Sequence, residues 1–371
     1  MKSILFISWD LYPSNTGSAS ILNQINNLKT THKLYFLGEK KISQKGNIDR
    51  PNHFYLTNFF SSIPRFGKYL KWLFFVVDLF LMNRVVKKVK PNIIIGVFPD
   101  GYFLILSFFV SIVNGIQFKP WFHNTYSFNK PKYSLAYFFE YLVFKNSEEI
   151  IFLSEGLKSF YSNHYQGVFS VLKHLNIIDK PTVKQTNNNV KNSKLNIILN
   201  GTLNDSCLNA VKYVVNEFSE DKFQFNVFGD NAKNFEHHSI SHLNLNFQGF
   251  LKYDEYYQKL IQNDFAIVPL GLTGNFSDHE YQTIFPTRTI ILLQLGIPIL
   301  FICPNDSFLN DFVLENNCGV VVNNYSEIYK KIDNLISRKE YYSKQSIKTG
   351  LLFNKFSFVE NFELIINHNN E

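Results

Sequence analysis

Cysteine is scarce: Cys207, Cys303 and Cys318 are the only three, an odd number at unrelated spacings. They fit neither a disulfide framework nor a zinc-ligand pattern, so a reducing, cytoplasmic setting and no bound metal are expected. Membrane-length apolar runs are missing too. The opening MKSILFISWD has an apolar stretch too short for a signal-peptide core, so no export signal is expected. YFLILSFFVSIVNGI, residues 102–116, falls short of the roughly 20 residues that cross hydrocarbon and suits a buried helix. Neither G-x-G-x-x-G nor a P-loop lysine motif occurs, which removes the main support for a dinucleotide-dependent dehydrogenase or a P-loop NTPase.

What is present is a globular chain of 371 residues, 45% hydrophobic, with 39 Phe and 20 Tyr. That length exceeds what one core usually supports, so two domains are expected. DKPTVKQTNNNVKNSK, residues 179–194, is almost devoid of apolar side chains and reads as a linker. Before it, SILFIS, KLYFLG, NIIIGVF, KPWFH and EIIFLS alternate with helix-length segments. After it the same grammar resumes with LNIILNG, FQFNVFG, DFAIVPL, IPILFI and GVVV. Continuously apolar strands separated by helices belong to buried parallel sheets. Two α/β, doubly wound Rossmann-like domains are therefore predicted, with ligands at the carboxyl ends of the strands and the site in a cleft between facing domains.

Charge divides along the chain. Residues 1–190 carry 22 Lys+Arg against 10 Asp+Glu, whereas the remainder carries 15 against 20. A basic first half suits an anionic surface or substrate, or simply solvated lysines. GKYLKWLFFVVDLFLMNRVVKKVKP, residues 67–91, mixes aromatic and cationic side chains, a composition shared by bilayer-interface helices and ordinary packed helices.

Five stretches could carry chemistry. SWDLYPSNTGSAS places Gly17 and Ser18 at a strand-to-helix turn that a ligand can approach closely. KPWFHNTYS puts His123 and Asn124 just past a strand, where a neutral imidazole can bond a hydroxyl or assist proton transfer. ILNGTLND repeats the strand–glycine–helix arrangement with Gly201 and Thr202. FQGFLKYDEYYQKL offers Gly249, Phe250 and Leu251 at a turn whose backbone can read a base. FPTRTIILLQLGIPIL joins Pro286, Thr287 and Arg288 to an apolar run. Pro suits a helix start, and the Arg fork matches phosphate oxygens, so this stretch reads as an anion seat on a buried helix.

In this order and spacing, together with IIFLSEGLKSFY and FNVFGD, these stretches resemble the GT-B glycosyltransferases over nearly the whole chain. The resemblance is nearest to the retaining, family 4-like group of bacterial polysaccharide, capsule and lipopolysaccharide synthesis. It implies domains at 1–178 and 195–350, with 351–371 crossing back onto the first. It implies a nucleoside-diphosphate sugar as co-substrate on the second domain: base near Gly249, Phe250 and Leu251, diphosphate near Gly17, Ser18, Gly201, Thr202, Thr287 and Arg288. A glycan or lipid-linked glycan acceptor would lie on the first domain, with His123 orienting the sugar. The resemblance implies a cytoplasmic protein, allows peripheral contact with the inner membrane surface, and implies no nucleic-acid partner.

Two positions depart from the pattern. The glutamate that usually holds the ribose would fall at Ile291 and its pair at Thr283. Asp278 is left as the candidate donor carboxylate and Glu280 as the candidate catalytic one. No Asp-x-Asp sequence occurs, so metal-independent electrostatic catalysis through Arg288 is expected. A non-catalytic GT-B scaffold and a nucleotide-sugar epimerase are the alternatives.

Overall fold

The computed structural model describes residues 1–9, 11, 17–26, 28, 31–41, 52–58, 72–98, 100–128, 134–176, 194–203, 205–229, 231–272 and 278–368. The chain divides into two compact units, Met1–Leu175 with Lys355–Glu371, and Asn176–Asn354. Most of the stretch read as a linker, 179–193, lies outside the described residues.

The first unit is built on β1 (Ser3–Ile7), β2 (Lys33–Lys41), β3 (His53–Asn58), β4 (Ile93–Phe98), β5 (Gln117–Phe122), β6 (Ile150–Phe152) and β7 (Phe169–Val171). They pair in the order β3-β2-β1-β4-β5-β6-β7, every pair parallel. β1 and β4 are buried almost throughout, which explains their unbroken apolar sequences. β3 and β7 occupy the sheet edges. With one neighbour each and less complete burial, they have weaker sequence signatures.

The apolar stretch at 102–116 is a helix, Gly101–Asn114. Asp100 caps its start by accepting from Phe103 N at 3.1 Å, and Gly115, at φ +61°, closes its end. Nine of its residues are buried, among them Phe103, Leu104 and Leu106, so its hydrophobicity is spent on the core. No described helix is long and apolar enough to cross a membrane.

The second unit carries β8 (Leu195–Asn200), β9 (Phe223–Phe228), β10 (Leu245–Gly249), β11 (Phe265–Pro269), β12 (Ile299–Ile302) and β13 (Val320–Val322). Their order is β10-β9-β8-β11-β12-β13, again wholly parallel. In both sheets the strand order reverses beside the first strand, between β1 and β4 and between β8 and β11. Such reversals splay the following loops apart at the carboxyl edge and leave room for a ligand there.

The C-terminal helix Lys355–Asn367 belongs to the first unit, where several polar contacts hold it. The Lys119 ammonium, on β5, donates to Glu149 at 2.6 Å and to Ile365 O at 2.5 Å with all partners buried. Lys2 Nζ donates to Ile366 O at 2.6 Å, and the His32 ring meets Glu363 at 2.8 Å. Phe362, fully buried, stacks on Phe6. Replacing Lys119 by Met leaves Glu149 as an uncompensated buried charge and is expected to cost about 3–5 kcal/mol. Calorimetric unfolding checks this, and the additional change Glu149→Leu should recover most of the loss.

Candidate functional site

Four adjacent strands of the second unit end in the same way. Gly201 follows β8 at φ +77°, Gly229 follows β9 at +103°, Gly249 ends β10 at +64°, and Gly271, two residues past β11, lies at +95°. Only glycine adopts these angles freely, so the backbone swings out of each strand without a Cβ on the carboxyl edge. The turns also touch. Gly229 N donates to Gly249 O at 2.9 Å, and a Cβ on Gly229 would lie 3.4 Å from Gly201 O. Of the four, sequence reasoning singled out Gly201 and Gly249. Gly229 and Gly271 carried the same signal, a glycine just after an apolar strand.

Arg288 lies at the strand-order reversal. Nη1 donates to Thr202 O at 2.9 Å, and Nη2 donates to Pro269 O at 2.9 Å and to Cys207 Sγ at 3.2 Å. The guanidinium thereby ties the turn after β8 to the end of β11. Its aliphatic part fills the space beside Gly201, where a Cβ would come within 3.2 Å of Arg288 Cβ and Cδ. Nε is buried and has no partner among the described residues. The sequence suggested a cation reaching freely into the site, but the structure spends both terminal nitrogens on protein acceptors. The positive charge remains directly behind the turn.

The helix that presents Arg288, Arg288–Gln294, is held by its apolar side. Ile290, Ile291, Leu292 and Leu293 are buried. Gly296, at φ +65°, ends it, with Ile297 N bonded to Leu292 O and Gly296 N to Leu293 O, both at 3.0 Å. This is the Schellman arrangement, and it explains Gly-Ile-Pro at that point. Thr287 is exposed and makes no side-chain cap. Thr289 N and Ile290 N bond back to Pro286 O and Thr287 O, so these amides, expected to be open to an anion, are taken.

Other expected residues lie as follows. Phe250 is 79% exposed beside Gly249, and Leu251 packs on the core below. Ile291 is part of that apolar cluster, and Thr283 is buried with Oγ1 on His279 O at 2.9 Å. Glu280 lies one turn before Thr283 on the helix Asp278–Thr283, half-buried, and burial raises its carboxyl above the ordinary range. The Asp278 side chain lies outside the described residues, as do the Ser18 side chain and residues 12–16 before Gly17. Gly17 and Ser18 open the helix Gly17–Asn26 of the first unit. Gly201, Thr202 and Arg288 are thus brought together, with Gly249 two strands away on the same edge.

His123, in the first unit, sits just past β5 with its ring edge-on to Trp121, centroids 4.6 Å apart. The residue is partly exposed, yet Nε2 itself is buried and has no partner among the described residues. Burial, helped by nearby His174, lowers its pKa to about 3, so the ring is neutral. His174 is lowered to about 4 by burial, against the opposing effect of its 2.8 Å contact with Leu175 O.

The loop carrying His123 is anchored by Glu140. That buried carboxylate accepts from Ser127 N at 2.9 Å, Ser127 Oγ at 2.6 Å, Tyr165 Oη at 2.9 Å and Tyr161 Oη at 3.0 Å. Tyr161 Oη in turn accepts from Tyr126 N at 3.0 Å. Nothing in the local pattern at Glu140, on a helix of mixed burial, announced this anchor.

Residues 197–349 match the family described as Glucosyltransferase 3-like, C-terminal domain. Sucrose-phosphate synthase from Thermosynechococcus elongatus superposes with a TM-score of 0.72 at 11% identity, over 99% of this chain and 98% of that one. A glycosyltransferase from Rickettsia africae gives 0.69 at 13%, over 98% and 97%. HepE from Anabaena, solved with UDP-glucose, gives 0.67 at 10%, over 99% and 100%. The chain has the GT-B fold and carries a glycosyltransferase domain. Curated protein sequences yield no match. In this GT-B chain, the matched domain begins on β8 and takes in all four glycine turns and Arg288.

Neutral His123 and His174 make the folded state acid-sensitive. Their folded pKa values lie below the ordinary 6.5, so from about pH 6.5 downward the unfolded chain binds protons that the folded chain refuses. Each histidine should remove up to about 1.4 kcal/mol of stability per pH unit until its folded pKa is reached. Denaturant titrations between pH 7 and 4.5 should show this fall, and His123→Phe should flatten it.

Proposed function

We propose that the chain transfers a sugar from a nucleoside-diphosphate sugar to a glycan or lipid-linked glycan in bacterial surface polysaccharide assembly, with retention. The row of Cβ-free turns at the carboxyl edge of the second sheet, backed by Arg288, carries this reading. Backbone N–H groups there can face phosphate oxygens closely, and the guanidinium charge behind the first turn favours an anion before it. HepE, of the same fold, holds UDP-glucose. UDP-glucose is therefore the first donor to test, with the base assigned to the Gly249–Leu251 turn.

Bond cleavage places negative charge on the departing diphosphate. A preorganised backbone cradle with a fixed cation lowers that cost without a metal. We assign the neutral ring of His123 to a sugar hydroxyl and the acceptor to the first unit. The absent glutamates at Thr283 and Ile291 leave the ribose to other groups. Glu280, half-buried on the helix before Arg288, is the carboxylate we assign to the site.

A bilayer surface suits the first unit. On the segment running through Phe75–Val89, Leu73, Val76, Val77 and Phe80 are exposed, and Arg84, Lys87 and Lys88 follow on the same face. Apolar insertion beside cationic side chains is how an interfacial helix meets anionic headgroups. We place the protein at the cytoplasmic face of the membrane on that basis. It should sediment with phosphatidylglycerol vesicles and not with phosphatidylcholine ones, and Val76→Asp with Phe80→Asp should abolish the binding.

Arg288→Ala should lower turnover of UDP-glucose, or of whichever donor stabilises the protein in a thermal-shift screen, by about a hundredfold or more. Lys should not rescue it, because one ammonium cannot span Thr202 O, Pro269 O and Cys207 Sγ. Unchanged affinity and turnover in Arg288→Ala would refute the donor seat. Donor binding without sugar transfer to any acceptor would favour a non-catalytic scaffold.

A further inference from the structure

The turn after β8 is fastened from two sides. Asn231 is fully buried, and its Nδ2 donates to Gly201 O at 2.8 Å and to Phe228 O at 3.3 Å, while its Oδ1 accepts from Leu203 N at 3.1 Å. Two carbonyls on one end and an N–H on the other leave a single amide orientation that satisfies all three. Asn234, one turn along, donates to Leu203 O at 3.3 Å. From the opposite side Arg288 holds Thr202 O. All three carbonyls of residues 201–203, and the amide of the last, therefore have side-chain partners.

One amide of the turn is left over. In a trans peptide the C=O and the following N–H point in opposite directions. Because Gly201 O is drawn to Asn231, Thr202 N–H is turned away from it. Thr202 is exposed, and among the described residues its N–H meets no acceptor. The positive φ of Gly201 is what allows this peptide orientation, and a side chain there would press on Arg288.

We infer that Asn231 is a positioning residue for donor binding: it fixes the 201–203 turn so that Thr202 N–H is presented to the diphosphate of the nucleotide. The inference rests on the donor reading above. Asn231 never touches the ligand and acts through the peptide between Gly201 and Thr202. Arg288 completes the clamp from the other side, which accounts for a guanidinium spent on carbonyls. Without Asn231 the peptide can rotate, and the seat loses its preorganised donor.

The test compares diphosphates with their nucleosides. UDP, GDP and ADP, each beside uridine, guanosine and adenosine, are titrated calorimetrically into the wild type and into Asn231→Ala, with circular dichroism and thermal midpoint as fold controls. The variant should lose tenfold or more in affinity for the diphosphate that binds, and less than twofold for its nucleoside. A merely structural role would weaken both in proportion. Asn231→Ser has a hydroxyl donor too short to bridge Gly201 O and Leu203 N. It should lose diphosphate affinity in the same selective way and serves if the alanine variant does not fold. Equal losses for diphosphate and nucleoside, or none, would overturn the inference while leaving the donor reading intact. A wild type that binds none of the three diphosphates would overturn both.

Discussion

Under the donor reading proposed above, the strands of the second sheet have to turn away at the ligand edge without placing a Cβ where the ligand is to come. Four neighbouring strands of the second unit meet this constraint with glycines in the left-handed region, at positions 201, 229, 249 and 271. Such glycines are loose by nature, and folding must restrict them at an entropic cost. Asn231 and Arg288 provide that restriction for the turn beside the strand-order reversal, through carbonyls rather than through packing. The site's polar side chains thus serve the backbone first, and the backbone faces outward.

The same division of labour holds in the first unit. His123 is held by a loop whose Tyr126 and Ser127 amides end on Tyr161 and on the buried carboxylate of Glu140. Burial keeps the imidazole neutral, which suits a group that shares hydrogen bonds with hydroxyls rather than attracting phosphate. The C-terminal helix, fastened by Lys119 and Lys2 to its last carbonyls, completes this unit from the far end of the chain.

Much of the fold was legible because central parallel strands are apolar on both faces: SILFIS, NIIIGVF and LNIILNG announced β1, β4 and β8. β3 and β7 were missed because an edge strand buries less and its sequence shows it. At the site, Gly201, Thr202 and Arg288 could be found from strand–glycine–helix spacing and the Pro-Thr-Arg start. What spacing could not reveal is where the guanidinium points. Contacts between residues 288, 202 and 269 arise only once the sheet is assembled. Asn231 is still less visible, since an Asn after Gly-Asp reads as a turn residue until burial and three hydrogen bonds give it another task. Ile291, where the family pattern led to an expected carboxylate, packs into the apolar cluster of the second unit.

Amide hydrogen exchange, followed by mass spectrometry with and without UDP-glucose, tests most directly whether the carboxyl edge of the second sheet is the donor seat. Slowed exchange at 200–203, 228–229, 249–251 and 270–272, with little change at the opposite strand ends, is the expected result. Protection confined to other segments, with these four turns exchanging as in the free protein, would contradict it.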